Sequence, residues 1–440
     1  MTTLVMIAQL ILSLSILVVL HELGHFLPAK WFKTRVEKFY LFFNPWFELF
    51  KFKKGETEYG VGWLPLGGYV KIAGMIDESM DKEQMAAPPK PWEFRSKKAW
   101  QRLIIMLGGV TVNFILGILI FMGMNLFWGK NYVPSENISH GIYVDTVGAK
   151  IGLQDGDQIV SLDGKPFEKF NRLDVIFPVV TKDLKEIGVK RNGVNTTIKV
   201  DPALSKEVGN SLKDNEIFNV RLQNIIDTMI QDAPAYKAGL RKGDHIVAVN
   251  GKEAIWHHQF QNAMKDNEGE AIAVNVNRDG QILNFNITPD DQGKIGYFPV
   301  FPKTNHIAYN FGSSAVQGWK DAWGFLNRQR KLLGMIATGK LDAKKNLGSI
   351  ITIGKQFGGI WDWKRFWTLT ASLSMILGFM NLLPIPALDG GHVMFLLWEV
   401  VTGRKPNDKV VEYATYVGFF ILLAFMIFVL GLDVINNIFN

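Results

Sequence analysis

Four long apolar runs stand out along the chain, at Leu4–Leu27, Leu103–Trp128, Phe366–Val400 and Tyr413–Val434. Each is long enough for a helix that crosses a bilayer, which takes about 20 residues. The third run is broken inside by two prolines and a Gly-Gly pair. The N-terminal sequence MTTLVM has no basic residue before the first run, so we interpret that run as a retained helix and not a cleaved signal peptide.

Between the second and third apolar runs, the pattern changes to short alternating strands that occur in two copies. GLQDGDQIVSLDGK, Gly152–Lys165, matches GLRKGDHIVAVNGK, Gly239–Lys252, at an offset of 87 residues without a gap. Apolar and polar residues alternate between Asp-Gly or Asn-Gly turns, which predicts short β-strands. A period this long, seen twice, predicts two tandem domains and not a solenoid.

Both copies resemble bacterial PDZ domains in the pattern GLxxGDxI, and the second copy also has the APAYKAGL segment typical of them. PDZ domains bind extended peptides by adding a strand to a sheet edge. The resemblance therefore implies that these units capture peptides or the trimmed ends of substrates. In the first copy Val147 and Ile151 replace the expected residues, and a steric spacer that binds no peptide is the alternative.

A glycine-rich alternating stretch, Trp46–Ile72, lies between the first two apolar runs. FELFKF and EYGVGWL alternate around a Lys-Gly-Glu turn, which predicts a β-hairpin. Gly60, Gly62, Gly67 and Gly68 permit bulges and a close approach of another backbone. We expect a strand edge here to pair with an unwinding substrate; the alternative is an interfacial loop that only plugs the site.

Charge and composition support a membrane protein. The 440 residues are 48% hydrophobic with a net charge of +7, and they include no cysteine, which excludes disulfides and thiolate metal sites. The basic residues flank apolar runs instead of covering one soluble face, so we expect no nucleic-acid partner. They cluster at 30–38, 95–102 and 404–409. The positive-inside rule then places 28–100 and 402–411 in the cytoplasm, with 130–365 and both termini outside.

The first apolar run ends in HELGH, although ionisable groups at membrane depth are costly. It fits the pattern H-E-x-x-H with His21, Glu22 and His25. Residues i and i+4 share a helix face, so both imidazoles can reach one Zn²⁺. Glu22 is then placed to act as general base in hydrolysis. The alternative is a polar patch at the end of the helix.

A third metal ligand is expected, because a catalytic zinc usually has three protein ligands. Without cysteines, Asp389 in NLLPIPALDGGH is the best candidate and His392 the alternative; a helix cap is another role for Asp389. Broken backbone at membrane depth persists only where it is buried in protein or lines a wet cavity. Adjacent side chains diverge, so we interpret His257 and His258 in IWHHQF as surface histidines and not as a metal site.

HELGH in a first span, LPLGGYVKI after it, the PDZ-like repeat and NLLPIPALDGGH together resemble the site-2 protease family, in its bacterial regulator-of-sigma-E branch. The match covers nearly the whole chain in order. The resemblance implies that His21, His25 and Asp389 bind zinc and that Glu22 is the catalytic acid/base. In span two, Asn113 fits the family's Gly-Pro-x-x-Asn pattern, with valine in place of the proline.

The resemblance further implies that Asn381, Pro384 and Pro386 help to hold substrate near the metal. It implies an intramembrane zinc metalloprotease that cleaves single-pass membrane proteins, such as anti-sigma factors and remnant signal peptides. The location would be the bacterial inner membrane, with PDZ-like domains in the periplasm and the active site towards the cytoplasm. Two other classes remain: a zinc transporter, which would usually show related halves, and a scaffold with a dead site, which would have lost Glu22 or a ligand.

The predicted fold class is a polytopic α-helical membrane protein with four transmembrane helices, a membrane-associated β-hairpin and two tandem α+β PDZ-like domains. Residues 1–129 hold two spans and the hairpin, 130–215 and 216–300 the PDZ-like domains, and 366–440 the last two spans. Residues 301–365 form a connector, which we interpret as an amphipathic helix on the outer membrane surface. A helix packed on the PDZ-like units is the alternative.

Overall fold

The computed structural model forms two compact units. It describes residues 2–438 except 66, 76–87, 212–216, 266–269, 292 and 347. The first unit, the membrane unit, comprises Met1–Gly129, Ala308–Met335 and Leu347–Asn440. The second, the repeat unit, comprises Lys130–Ile307 and Ile336–Asn346. The predicted boundary between residues 215 and 216 lies outside the described residues.

The membrane unit begins with two long helices, α1 (Thr2–Trp31) and α2 (Ala99–Trp128). Thirty residues of helix span about 45 Å, more than a bilayer's hydrocarbon core. The helices touch backbone to backbone, since a Cβ on Gly24 would lie 2.5 Å from the carbonyl oxygen of Gly108. Glycine is therefore required in the HELGH motif for α2 to lie against the histidine turn.

A four-stranded sheet lies between α1 and α2 in the chain. Its strands are β1 (Val36–Leu41), β2 (Phe43–Lys54), β3 (Thr57–Leu64) and β4 (Tyr69–Ile72). Their order is β2-β3-β1-β4, with β1 and β3 parallel and the other pairs antiparallel. The predicted hairpin is present as β2 and β3. The additional strands β1 and β4 were not predicted, because the β1–β3 and β1–β4 pairings join segments that are not neighbours in the chain.

The repeat unit contains two similar halves. The first comprises β5 (Lys130–Pro134), β6 (Ile142–Val144), α3 (Thr146–Ile151), β7 (Gln158–Leu162), β8 (Lys165–Pro166), β9 (Lys169–Phe170), α4 (Arg172–Val180), β10 (Glu186–Arg191), β11 (Val194–Lys199) and α5 (Ser205–Asn210). The second comprises β12 (Phe218–Val220), β13 (Ile226–Met229), α6 (Pro234–Lys237), β14 (His245–Val249), β15 (Lys252–Glu253), α7 (His257–Lys265), β16 (Ile272–Arg278), β17 (Gln281–Ile287), β18 (Tyr297–Pro299) and β19 (Asn305–Ile307). Their main sheets have the same order, β11-β10-β7-β8 and β17-β16-β14-β15.

A buried ion pair recurs at the repeat offset. Arg191 binds both carboxylate oxygens of Asp157 at 2.7 and 2.8 Å, and the Asp157 side chain is fully buried. Arg278 binds Asp244 in the same way, at 2.6 and 2.7 Å. In each half the aspartate comes from the GD motif and also accepts a backbone N–H three residues before it. The repeated sequence thus encodes the same local structure twice.

The remaining helices follow the repeats. They are α8 (Phe311–Ala337), α9 (Ala343–Asn346), α10 (Ile350–Phe357), α11 (Trp363–Leu382), α12 (Asp389–Thr402) and α13 (Asp408–Ile438). One face of α8 packs against the spanning helices of the membrane unit. Ala322 and Leu326 cluster with Met375 of α11, and Asn125 of α2 donates to Asp321 at 2.8 Å.

Within the described residues, three helices are long and apolar enough to cross a membrane: Thr2–Trp31, Ala99–Trp128 and Lys409–Leu432. The third predicted run is instead divided into α11, which has 20 residues, and α12, which has 14. The chain between them contains the predicted prolines. The break places the N-terminus of α12, and with it Asp389, inside the membrane unit.

Candidate active site

Three side chains from opposite ends of the chain meet inside the membrane unit. His21 and His25, one turn apart on α1, have their Nε2 atoms 3.3 Å from each other. Oδ2 of Asp389, the first residue of α12, lies 3.4 Å from Nε2 of His21 and 3.3 Å from Nε2 of His25. We call these three residues the triad.

The triad fits a zinc ion. Its three ligand atoms form a nearly equilateral triangle, and ligands about 2.0–2.1 Å from a tetrahedral zinc are about 3.3–3.4 Å apart. Within the part of the chain that the structure describes, the buried Oδ2 of Asp389 has no hydrogen-bond partner, which is costly unless a cation binds there. Two imidazoles and one carboxylate are a catalytic zinc set that leaves a fourth position open.

Neighbouring groups hold the imidazoles in the orientation that metal binding needs. Nδ1 of His25 lies 2.8 Å from the carbonyl oxygen of Ile105, so it donates its proton there. Nε2 of His25 is then unprotonated and can bind the metal. Nδ1 of His21 lies 3.1 Å from the side-chain amide of Asn113. The amide of Asn381 lies 3.3 Å from Nε2 of His21, directly beside the triad.

The break before α12 is what brings Asp389 to the histidines. Ala387 has φ +80°, a left-handed conformation that costs a non-glycine residue of the order of 1 kcal/mol or more. A Cβ on Gly391 would lie 2.6 Å from the carbonyl oxygen of Ile385, so the chain folds tightly back on itself. Pro384 and Pro386 shape this break, but they do not line the cavity next to the triad.

Glycines of α2 complete the site, and the sequence analysis assigned no role to them. A Cβ on Gly109 would lie 2.6 Å from Cε1 of His21, so any side chain there displaces the imidazole. Gly108 provides the close contact of α2 with Gly24 of α1. The signal was the segment LGGVTVN, in which the glycines come four and five residues before Asn113.

A cavity of about 500 Å³ adjoins the triad. Glu22 is among the residues that line it, although only 8% of its surface is exposed. β4 forms one wall, and a Cβ on Gly68 would be 3.5 Å from Cγ of Glu22. Asn381 and His392 also line the cavity, although His392 is outside the three-residue cluster.

Of the four glycines predicted to position substrate, only Gly68 reaches the cavity. Gly60 and Gly62 lie in the interior strand β3, where Gly60 faces the ring of Tyr40 and Gly62 faces the backbone of β2. Gly67 has φ +155° and contacts the ring of Phe43. Glycine at 60 and 62 thus serves the packing of the sheet.

The histidines of IWHHQF are half-buried among aromatic neighbours, which corrects the interpretation of them as surface histidines. Nδ1 of His257 lies 3.2 Å from the hydroxyl oxygen of Tyr297, and burial lowers the pKa of His257 to about 4. The ring of His258 stacks on Tyr143, with centroids 4.4 Å apart. They pack within the repeat unit, and the only three-residue metal cluster among the described residues is the triad.

Fold and site together define a membrane-embedded zinc metallopeptidase. The chain belongs to peptidase family M50, whose sequence profile matches residues 9–425. It is similar to the regulator of sigma E protease of Haemophilus influenzae, with 27% identity over 97% of this chain and 98% of the relative. It is also similar to protease RseP of Yersinia pestis and regulator of sigma-E protease RseP of Escherichia coli K12, each at 26% identity over 98% of both chains. The expected enzyme class and its zinc cofactor are confirmed by this membership.

Proposed function

We propose that this protein hydrolyses peptide bonds within transmembrane segments, with zinc held by His21, His25 and Asp389 and with Glu22 as the acid/base. The observation that carries this proposal is the 3.3–3.4 Å triangle of ligand atoms beside a cavity that Glu22 lines. Histidines and a carboxylate at membrane depth serve a function by default, because lipid disfavours them.

Each part of the proposed hydrolysis is assigned to a particular group. When bound, zinc supplies a Lewis acid that polarises the scissile carbonyl and lowers the pKa of water. Glu22 accepts a proton from the attacking water and delivers it to the leaving amine. Asn113 and the Ile105 carbonyl hold the two imidazoles in place, and Asn381 is placed to donate to the substrate's carbonyl.

Substrate capture is assigned to β4. A peptide bond within a helix is shielded by its own hydrogen bonds, so hydrolysis needs an extended chain. β4 is one of the two terminal strands of the sheet among the described residues, and Tyr69–Ile72 line the cavity. A substrate strand paired with this edge would lie against Glu22. Within the glycine-rich stretch Trp46–Ile72, the strand that offers an edge to the cavity is therefore β4 and not β3, which is an interior strand.

The proposed topology has four transmembrane passes, with α11 and α12 together forming the broken third. The distribution of basic residues supports an orientation with β1–β4 on the cytoplasmic side of a bacterial inner membrane and the repeat unit in the periplasm. The matching sheets and ion pairs of the two halves support tandem PDZ-like domains, 130–215 and 216–300, with 301–365 as connector. We propose that they receive peptides or the trimmed ends of substrates.

The names of the relatives support substrates that regulate sigma E. We propose single-pass membrane proteins such as anti-sigma factors, together with remnant signal peptides, as the substrates. A transporter and an inactive scaffold are disfavoured, since all the groups needed for hydrolysis are brought to one cavity.

The experiment that tests this function uses the purified full chain and a model transmembrane substrate. Cleavage is measured before and after a zinc chelator and in Glu22→Gln, with zinc content determined for each sample. We expect chelation to stop cleavage, added zinc to restore it, and Glu22→Gln to stop it with zinc still bound. Zinc binding with no cleavage by the wild type would point to a transporter or scaffold, and near-normal turnover in Glu22→Gln would refute the assignment of the base.

A further inference from the structure

The last helix, α13, has one buried residue among those whose burial the structure describes, and that residue is Gly418. Its neighbours Val417, Phe419 and Phe420 are exposed apolar side chains, as expected of a helix that faces lipid. Small residues in membrane helices allow the backbones of neighbouring segments to approach closely. Gly418 therefore marks the place where α13 comes closest to the rest of the membrane unit.

Gly418 lies against the break before α12, backbone to backbone. A Cβ on Gly418 would overlap the carbonyl oxygen of Pro386 and would lie 2.5 Å from its carbonyl carbon. Carbon atoms are best separated by about 3.5–4.0 Å, so a side chain at position 418 requires α13 or the break to move by about 1 Å. The three atoms nearest to that Cβ all belong to the backbone of Pro386, so no flexible side chain can absorb the movement.

The break itself has little freedom to yield. The ring of Pro386 fixes its φ, and Ala387 follows with a strained φ of +80°. Beyond the break, a Cβ on Gly390 would lie 2.6 Å from the carbonyl oxygen of Leu382, so α12 is in backbone contact there as well. In sequence, Asp389 lies between Pro386 and Gly390. A movement imposed at Pro386 therefore passes along a constrained backbone to the third metal ligand.

α13 is also held near the site. Only five residues, 403–407, join α12 to α13, and Thr415, about one turn before Gly418, lines the cavity that adjoins the triad. A metal ligand must lie within about 0.2 Å of its ideal distance. A displacement of about 1 Å at Pro386 is several times this tolerance, so its partial transmission to Asp389 is enough to disturb the triad.

We propose that Gly418 is a positioning residue for the metal site: because it has no side chain, α13 supports the Pro386 carbonyl at the place that directs Asp389 to the two histidines. This inference rests on the proposed function, since it concerns the same zinc site. Gly418 is not among the residues that line the cavity, and it acts through the backbone of the break. The position of α13 thereby controls the affinity of the triad for zinc.

The test measures the zinc affinity of the full-length protein by competition with a chelator, at equal amounts of folded protein. We expect Gly418→Ala to lower the affinity about tenfold, as loss of support for a metal ligand typically does. Gly431→Ala is the matched control on the same helix, because a Cβ there meets no atom within 4 Å. Alanine favours a helix over glycine at both positions, so a loss confined to Gly418→Ala comes from the contact with Pro386.

A double-mutant cycle separates positioning of the ligand from a general loss of stability. In the Asp389→Ala background only the two histidines bind zinc, and Gly418→Ala should cause no further loss of affinity. In the His21→Ala background Asp389 is still a ligand, and Gly418→Ala should again lower the affinity. Co²⁺ accepts the same ligand types, and its visible spectrum in the protein should change in Gly418→Ala and stay unchanged in Gly431→Ala.

If Gly418→Ala accumulates poorly, Gly418→Ser adds the same Cβ, and the Co²⁺ spectrum reports on the fraction that folds. Equal losses of affinity with and without Asp389 would overturn the inference, because the variant would then act on the whole fold. Unchanged affinity in Gly418→Ala would also overturn it and leave the protease assignment intact, since α13 would then move instead of the break. A wild-type protein that binds no zinc would contradict the proposed function and, with it, this inference.

Discussion

The guanidinium of Arg102 donates to the carboxylate of Glu399 at 2.5 Å, with each side chain about 10% exposed. The pair joins the start of α2 to the end of α12. α12 carries Asp389 at its other end, ten residues before Glu399, and α2 carries the groups that hold the histidines. The ion pair therefore fixes the helix of the third ligand against the helix that supports the other two.

Breaking the Arg102–Glu399 pair should weaken zinc binding, although neither residue is a metal ligand. Removal of one partner of a buried pair costs about 3–5 kcal/mol because the other charge is left uncompensated. We expect Glu399→Gln to reduce zinc retention and cleavage together, as measured by zinc content and kcat/KM at matched protein amounts. The charge swap Arg102→Glu with Glu399→Arg should recover part of both, and no recovery would show that the pair does not act as a unit.

The third ligand can be tested by comparing two neighbours on α12. Asp389→Ala removes the carboxylate from the triangle and should reduce zinc content by at least tenfold, whereas His392→Ala, outside the triangle, should reduce it far less. Zinc per protein after dialysis against a weak chelator measures both. Equal losses, or a loss from His392→Ala alone, would transfer the assignment to the histidine.

Gly109 should tolerate no side chain. Gly109→Ala places a methyl group against the His21 ring, and a displaced ligand typically weakens metal binding about 10–100-fold. Gly123→Ala on the same helix is the control, because a Cβ there meets no atom within 4 Å and alanine is the better helix former. Zinc affinity should fall in Gly109→Ala and not in Gly123→Ala. Equal affinities in the two variants would show that α2 shifts to accommodate a methyl group at position 109.

Capture of substrate at the β4 edge predicts a proline effect limited to that strand. N–H groups of a strand point alternately to its two sides, so one of Tyr69 and Val70 points away from β1. Proline at that residue removes the N–H offered to the substrate and leaves the β1–β4 pairing intact. Alanine at the same residue keeps the N–H. We expect cleavage to fall much further with Pro than with Ala at that position, at equal zinc content.

Prolines at Val61 and Trp63 of β3 should instead lower the amount of folded enzyme, because both neighbours of that strand are part of the sheet. Similar effects of Pro and Ala at both Tyr69 and Val70 would remove the support for strand capture.

The repeated ion pair should stabilise each half of the repeat unit separately. Arg278→Ala leaves the buried carboxylate of Asp244 unpaired, which costs about 3–5 kcal/mol. Amide exchange of the full-length protein should therefore accelerate across β14–β17 and remain unchanged across β7–β11. Arg191→Ala is the matched variant and should show the reverse pattern. Exchange that rises equally in both halves would show that they unfold together.

The sequence by itself determined the chemistry and much of the local structure. HELGH specifies two imidazoles one turn apart, since a helix places i and i+4 on one face. The repeat predicted two similar halves, because strand alternation and Asp-Gly turns are local signals. The long apolar runs predicted α1, α2 and α13 for the same reason, because the preference of a segment for lipid or water depends on its own residues.

Only the tertiary structure decided what depends on contacts between distant segments. The third run became two helices, and the break turned Asp389 towards histidines more than 360 residues earlier. The parallel pairing of β1 with β3 made β4 the edge and placed Gly60 and Gly62 in the interior, which alternation within one strand cannot reveal. Likewise, Gly109 acquires its role from neighbours across the fold. Each of these outcomes depends on which backbones approach one another, and no local pattern of residues specifies that.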